Sequence, residues 1–202
     1  MIAVVDYGVG NLFSLTSSLA AVGAECVVTG DPVLIKKAEK IILPGVGAFE
    51  DAKRKLVEKG LDTVLCEAAK EGKKILGICL GMQMLFDKSY EYGTHTGLGL
   101  IKGSVVGMEG RITEGLKIPH IGWNSLHLTA EHPIFKYVKE GDFVYFVHSY
   151  FADGCDESLL ATTEYGIDIT AAVAKDNVAG TQFHPEKSGE VGLSILRAFV
   201  EW

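Results

Sequence analysis

The first half of the chain alternates short runs of β-branched residues with amphipathic stretches, and this alternation constrains the fold more than any other feature. The runs at 2–5, 26–28, 41–43 and 74–78 predict buried strands. After the first run, Leu12, Leu15 and Leu19 recur at helical spacing behind Asn11, a favourable N-cap. Strands that alternate with helices are typical of a mostly parallel sheet flanked by helices. The chain is therefore predicted to adopt an α/β fold.

From about residue 97 the pattern changes to shorter strands separated by glycine and other turn residues. The predicted strands of this half are 104–108, 143–147, 169–174 and 178–183. Their texture favours an additional antiparallel, β-rich part beside the parallel sheet. The chain closes with Leu193, Leu196, Phe199 and Val200 on one helical face. Since there is no linker or repeat, the whole chain, residues 1–202, is expected to form a single domain.

The charge balance and the cysteine pattern argue against several classes of function. Acidic residues outnumber basic ones by 26 to 19, giving a net charge of -7, and no dense run of Lys or Arg could follow a nucleic-acid backbone. The chain opens without a secretory signal, and no stretch approaches the roughly 20 apolar residues that cross a bilayer. A soluble, cytoplasmic protein without nucleic-acid or membrane partners is expected. The four cysteines lie far apart without a CxxC pair, so no disulfide framework, metal site or other cofactor is expected.

One cysteine lies in a sequence that is typical of a nucleophile at the edge of a sheet. Residues 77–81 read Gly-Ile-Cys-Leu-Gly, the elbow motif in which a strand turns sharply into a helix and exposes the central side chain. Gly77 and Gly81 are needed because the turn brings neighbouring backbone too close for side chains. A thiol at a helix N-terminus is also favoured as the thiolate, the form that attacks carbonyl groups. Cys79 is therefore predicted to be a catalytic nucleophile.

The ordinary alternative is that Cys79 is a small apolar residue at the end of a buried strand. The strand before it, the glycines on both sides and the helical pattern after it favour the nucleophile. Cys26, in a predicted strand, and Cys66, in a predicted helix, are interpreted as structural. Cys155 lies among acidic residues whose charges disfavour a thiolate.

A nucleophilic cysteine needs an imidazole as its proton-transfer partner and a third group that fixes the tautomer of the imidazole. Residues 182–186 read Gln-Phe-His-Pro-Glu and offer both. On extended backbone, side chains two residues apart point to one side, so Glu186 can lie beside His184. Pro185 favours that extended conformation for the residue before it. Cys79, His184 and Glu186 are therefore predicted to form a catalytic triad.

Four segments resemble those of the class I glutamine amidotransferases. They are 44–47 (PGVG), 77–83 (GICLGMQ), 148–150 (HSY) and 183–188 (FHPEKS), and the resemblance extends over essentially the entire chain. Within that family, the opening VVDYGVGNL, the PGVGAF and FHPEKS segments and the short length are most similar to the glutaminase subunits of histidine biosynthesis. The resemblance implies an enzyme that hydrolyses glutamine to glutamate and ammonia.

The resemblance also implies how the triad would act. The Cys79 thiolate would attack the side-chain amide of glutamine, His184 would protonate the departing ammonia, and Glu186 would keep His184 oriented. The backbone N–H groups of Leu80 and Gly47 would form the oxyanion hole. The glycines of the 44–47 segment allow two peptide orientations, and we expect a liganded partner to select the one that presents the N–H.

Four further residues are implied to hold the glutamine. Gln83, Glu91, Ser149 and Tyr150 match the family's substrate-binding positions, and Glu91 is suited to the ammonium group. Without the resemblance, Gln83 and Glu91 would be interpreted as parts of a solvated helix face and a loop.

A glutaminase of this kind is expected to pass its product on directly, because free ammonia at neutral pH is mostly protonated. The family's partner is a cyclase subunit with a (β/α)₈ barrel, and the resemblance implies a heterodimer with it. Asn11, Tyr145 and Lys187 match positions near that interface. Two alternatives stay open. The first is that the chain serves a different synthase. The second is that it is not a glutaminase, but an α/β protein of the peptidase or chaperone kind that shares the elbow or a binding protein that lost the activity.

Overall fold

The computed structural model describes residues 1–202. The strands are β1 (Ile2–Val5), β2 (Cys26–Thr29), β3 (Lys40–Leu43), β4 (Lys74–Ile78), β5 (Phe86–Ser89), β6 (His95–Thr96), β7 (Ile101–Gly107), β8 (His120–Ser125), β9 (His127–Leu128), β10 (Phe143–His148), β11 (Tyr150–Asp153), β12 (Leu159–Glu164), β13 (Asp168–Lys175) and β14 (Val178–Thr181). The helices are α1 (Leu12–Ala21), α2 (Pro32–Lys37), α3 (Phe49–Glu58), α4 (Leu61–Lys70), α5 (Leu80–Gln83) and α6 (Gly189–Glu201). Short 3-10 turns cover Pro133–Phe135, Asp156–Ser158 and Pro185–Lys187.

The largest sheet has eight strands in the order β2-β1-β3-β4-β14-β13-β12-β9. The first five run parallel, and the last three continue the sheet in antiparallel pairing. A separate pair, β10-β8, is antiparallel, and a four-stranded sheet has the order β11-β7-β5-β6. The predicted α/β fold, with a mostly parallel sheet and an additional antiparallel part, is confirmed.

The side chains of the parallel strands alternate between two hydrophobic cores. In β1, Ala3 and Val5 belong to one core, and Ile2 and Val4 belong to the other. The first core is covered by α2, α3 and α4, and the second by α1 and α6. A parallel sheet between two helical layers is buried on both faces, so its strands have apolar runs instead of alternating polar and apolar residues.

Two elements at the elbow are short in the structure. The helix after the elbow, α5, is a single turn, because the carbonyls of Met84 and Leu85 accept hydrogen bonds from Leu98 and Leu100 instead of continuing the helix. Strand β14 ends at Thr181, two residues before the predicted end. The longest helix, α6, has 13 residues, and none of the helices could span a membrane.

Candidate active site

The elbow places Cys79 between the end of β4 and the start of α5. Its backbone has φ 54 and ψ -111, a left-handed conformation that non-glycine residues rarely adopt and that costs about 1–3 kcal/mol. A Cβ at Gly77 would lie 2.7 Å from the carbonyl oxygen of Gly81, and a Cβ at Gly81 would collide with the carbonyl of Leu43. The structure thus requires glycine at both positions that the motif predicts.

The order of strands in the sheet brings the two predicted chemical groups together. Strand β14 lies beside β4 in parallel, and the N–H of Cys79 donates to the carbonyl of Thr181 at 2.7 Å. The segment after β14 therefore leaves the sheet next to the elbow. It is fastened to β10, because the N–H of His184 donates to the carbonyl of Tyr145 at 3.0 Å.

His184 and Glu186 form a buried pair. The Nδ1 atom of His184 lies 2.8 Å from Oε1 of Glu186, and the two side chains are 2% and 4% exposed. The predicted backbone geometry is wrong for Glu186, which lies in the 3-10 turn Pro185–Lys187 and not on an extended strand. The contact forms because this turn brings the carboxylate under the ring. A carboxylate accepts from Nδ1–H, so Nε2 is the nitrogen that remains for proton transfer.

The surroundings of His184 favour its charged form. Burial lowers the pKa of its ring, but the neighbouring Cys79 sulfur and the Glu186 carboxylate outweigh burial and raise the pKa to about 9. Nε2 of His184 is buried and has no partner that meets hydrogen-bonding geometry. Burial raises the pKa of the three other thiols, those of Cys26, Cys66 and Cys155, and disfavours their thiolates.

A cavity of about 410 Å³ opens in front of the elbow, within the range of small-molecule sites. It is lined by Cys79, Leu80, His184, Gly47, Gln83, Glu91, Ser149, Tyr150 and Lys187, among others. The first-turn N–H groups of a helix have no acceptor within it, so the N–H of Leu80 is available beside the sulfur. Gly47 has a φ of +93 and lies exposed at the rim. A larger hollow of about 860 Å³, near residues 128–138, contains no cysteine.

The side chains of Gln83 and Glu91 are buried at the cavity wall, so their interpretation as solvated residues is wrong. Both hydrogens of the Gln83 amide are used, on the carbonyl of Tyr150 and on Oε1 of Gln182, each at 3.0 Å. Oε2 of Glu91 accepts the N–H of Phe49 at 2.6 Å and so caps α3. Burial raises the pKa of Glu91, while the Phe49 N–H opposes that shift.

The sequence matches the family described as "Glutamine amidotransferase class-I" over residues 3–202. The chain belongs to the class I glutamine amidotransferase family. It is 51% identical over 202 residues to the imidazole glycerol phosphate synthase subunit HisH of Caldanaerobacter subterraneus subsp. tengcongensis, with 100% of this chain and 98% of that protein covered. The protein of the same name from Sulfurimonas denitrificans is 50% identical, with the same coverage of each chain.

Several solved structures share the fold. One described as a glutamine amidotransferase has a TM-score of 0.78 at 18% identity and covers 100% of this chain and 98% of its own. PurLQS from Thermotoga maritima has a TM-score of 0.74 at 22% identity, with 99% and 97% covered. At these identities the likeness concerns the fold alone.

Nine of the twelve predicted site residues line the cavity, and Glu186 is a tenth through its contact with His184. Leu80 and Gly47 were assigned through their backbone and do line the wall, whereas Asn11 and Tyr145 do not line it. The side chain of Asn11 accepts the N–H of Ser14 at 3.4 Å and caps α1 as predicted.

Two further residues belong to this site, although the sequence does not predict them. Gln182 is fully buried, and its Nε2 lies 3.7 Å from Sγ of Cys79. Ser188 donates from Oγ to the carbonyl of His184 at 2.7 Å and accepts the N–H of Tyr145 at 3.0 Å, so it fastens the histidine segment to β10. Both lie in the segment 182–188, but the contacts that involve them depend on distant strands. No local pattern in the sequence indicates those contacts.

Proposed function

We propose that this chain is the glutamine-hydrolysing subunit of an imidazole glycerol phosphate synthase, with Cys79, His184 and Glu186 as its catalytic triad. The observation that carries the proposal is the buried pair of His184 and Glu186, 2.8 Å apart, beside Cys79 at one wall of the cavity. The name of the relatives that are half identical over their full length supports this synthase over others.

The proposed reaction begins with the Cys79 thiolate and the His184 imidazolium. The sulfur attacks the side-chain amide carbon of glutamine, and the amide oxygen takes the negative charge. The N–H groups of Leu80 and Gly47 are proposed to stabilise that oxygen. Nε2–H of His184 then protonates the amide nitrogen, the C–N bond breaks, and ammonia leaves a thioester on Cys79.

Hydrolysis of the thioester restores the enzyme. Neutral His184 takes a proton from water, and the resulting hydroxide adds to the thioester carbon. The C–S bond then breaks, glutamate leaves, and the sulfur departs as the thiolate. Glu186 remains ionised and stabilises the imidazolium at each stage.

The glutamine is proposed to be held at its amino-acid end by the far wall of the cavity. Only Oε2 of Glu91 is used by Phe49, so Oε1 is available for the substrate ammonium group. The Gln83 side chain donates both amide hydrogens to protein acceptors, so its oxygen is available to accept a hydrogen bond from the substrate. Ser149 and Tyr150 line the same wall and complete the proposed pocket.

The ammonia is proposed to pass to a cyclase subunit with a (β/α)₈ barrel, in a heterodimer in which the complex, and not this chain alone, has lyase activity. Asn11, Tyr145 and Lys187 are kept as proposed interface residues. The four free thiols suit a reducing compartment, which supports the proposed cytoplasmic location.

Replacing the nucleophile tests the proposal. Cys79→Ala is expected to reduce glutamate release from glutamine by at least about a thousandfold, because no other group in the cavity can form the thioester. Ammonia-dependent synthesis by the complex with the cyclase should persist. Glutamate release and product formation are measured in the same preparation of the complex.

Cys26→Ala is the matched control, because Cys26 lies in β2 at the far edge of the sheet. This variant should retain full activity. Comparable glutamate release from Cys79→Ala and the unaltered chain would overturn the proposed nucleophile. If a different synthase, and not the cyclase, activates glutamate release by this chain, the chain belongs to another complex.

A further inference from the structure

A buried amide approaches the sulfur of Cys79 from the side of β14. Gln182 follows the last residue of β14, is fully buried, and has its Nε2 atom 3.7 Å from Sγ of Cys79. Its Oε1 atom accepts a hydrogen bond from Nε2 of Gln83 at 3.0 Å. The side chain therefore has one end on the sulfur and the other on the wall of the cavity.

The orientation of the Gln182 amide follows from its neighbours. The carbonyl oxygen of Tyr150 can only accept, so the group of Gln83 that faces it at 3.0 Å is the NH₂. The same NH₂ faces Gln182, so the oxygen of Gln182 must point to Gln83. Its own NH₂ then necessarily points to Cys79, where it acts as a donor.

The hydrogen-bond network continues beyond Tyr150, and each donor in it faces an acceptor. Nδ1–H of His148 donates to the Tyr150 carbonyl at 2.9 Å, so Nε2 of His148 accepts from Nδ1–H of His120 at 3.1 Å. Nε2 of His120 accepts from Asn124, whose Nδ2 also donates to the carbonyl of Glu164. Burial lowers the pKa of both histidines, that of His148 to about 3, so both rings are neutral as this pattern requires.

We propose that Gln182 is a catalytic residue that donates a hydrogen bond from its side-chain amide to the Cys79 sulfur, an inference that rests on the proposed glutaminase function. The donor stabilises the thiolate before attack. It acts again during hydrolysis of the thioester, when the C–S bond breaks and the sulfur takes the electron pair. The network through Gln83, Tyr150 and His148 prevents the amide from turning its oxygen to the sulfur.

The test is Gln182→Met, which retains the length of the side chain and removes the donor. Alkylation of Cys79 by iodoacetamide at neutral pH is expected to slow about 10- to 100-fold, and kcat for glutamate release to fall by a similar factor with little change in KM. The pH at which the alkylation rate rises should also be higher than in the unaltered chain. The other titratable groups that act on the sulfur are His184 and Tyr7, and Glu91, His148 and Lys187 line the cavity.

Thr181→Val is the matched control, because Thr181 is equally buried next to Gln182 and its hydroxyl bonds only to the carbonyl of Phe183. It should alkylate at the unaltered rate. Gln182→Glu, which has the same size but places an acceptor beside the sulfur, should be slower than Gln182→Met. Unchanged alkylation in both Gln182 variants would overturn the inference even if the chain hydrolyses glutamine. If the Gln182 variants alkylate slowly but the unaltered chain never releases glutamate, the proposed function is overturned. The inferred hydrogen bond from Gln182 to the sulfur would then still be supported.

Discussion

Two histidines at the wall of one cavity have opposite preferences for the proton. The pKa of His184 is raised to about 9, because its contacts with Cys79 and Glu186 outweigh its burial. The pKa of His148 is lowered to about 3, because burial dominates and its contacts are a carbonyl and the neutral ring of His120. Two titratable groups whose surroundings shift their pKa values in opposite directions are suited to different roles. His184 is suited to carry a proton, and His148 is suited to hold a fixed tautomer.

The raised pKa of His184 predicts how stability depends on pH. The folded chain holds this proton more tightly than the unfolded chain, so its contribution to stability is complete below pH 6.5 and is lost as pH rises towards about 9. Thermal unfolding between these pH values should therefore give a falling Tm. His120 and His148 are buried and have lowered pKa values, so they affect the pH dependence of stability only below pH 6.5.

The Glu186→Gln variant separates this effect from other titrations, because it removes the carboxylate that favours the charged ring. Its Tm should fall less steeply over the same interval. A slope equal to that of the unaltered chain would contradict the assigned cause, and a Tm that rises with pH would contradict the raised pKa itself.

The loop at 44–47 is anchored by hydrogen bonds on both sides, and its middle residues are exposed. The hydroxyl of Tyr7 donates to the carbonyl of Pro44 at 2.7 Å, and Glu91 accepts the N–H of Phe49 at 2.6 Å. Between these points, Val46 and Gly47 are exposed. A change in peptide orientation is thus confined to the few bonds that would present the N–H of Gly47 to the cavity.

Gly47→Ala should impair the proposed oxyanion hole. The φ of +93 at Gly47 is unfavourable for alanine by roughly 1–2 kcal/mol, although no atom obstructs the added methyl group. The loop is expected to relax to negative φ and misplace the N–H, which lowers glutamate release about 100-fold. Gly60→Ala is the control, because Gly60 has a φ of +66 and open space but lies outside the cavity. Equal activity of the two variants would exclude this role of Gly47.

Elements with a local signal are predictable from this sequence, and contacts across the sheet are not. The strand ending at Cys79 and its flanking glycines follow from residues 74–81 alone. The contact between His184 and Glu186 is predicted correctly, but from an extended geometry that the structure replaces with a 3-10 turn. The hydrogen bond from Gln83 to Gln182 joins residues 99 positions apart. Only the strand order, with β14 beside β4, determines such contacts.

The strand pair β8-β10 has one face that is buried in the interior and one that is exposed to solvent. His120 and Phe146 are buried, whereas Ile121, Trp123 and Phe143 are between 55% and 59% exposed. Trp123 lies opposite Tyr145 in the pair, with ring centroids 6.1 Å apart, and Nζ of Lys187 lies 5.8 Å from the Tyr145 ring. An exposed apolar face beside the rim of the cavity is typical of a protein interface.

Trp123→Ala is expected to weaken binding of the proposed cyclase without changing glutamate release by the isolated chain. Loss of a central aromatic anchor costs about 2 kcal/mol or more, so Kd should rise about 30-fold. Tyr137→Ala is the control, because Tyr137 is an exposed aromatic residue that bonds to Glu201 in α6. Titration calorimetry of both variants with the cyclase measures the effect. Equal affinities would place the interface elsewhere.

The same variant tests whether the partner activates the glutaminase through this face. A hundredfold activation by the liganded cyclase requires about 2.7 kcal/mol of coupling, and a ligand supplies it only by binding the active state more tightly than the resting one. Glutamate release is therefore compared for the chain alone, with cyclase, and with cyclase and its nucleotide ligand, at saturating cyclase. If Trp123 belongs to the coupled interface, activation by the ligand should shrink in Trp123→Ala even when all of the chain is bound. Full activation in the saturated complex would show that Trp123 contributes affinity alone, and equal turnover of the unaltered chain in all three states would exclude the switch.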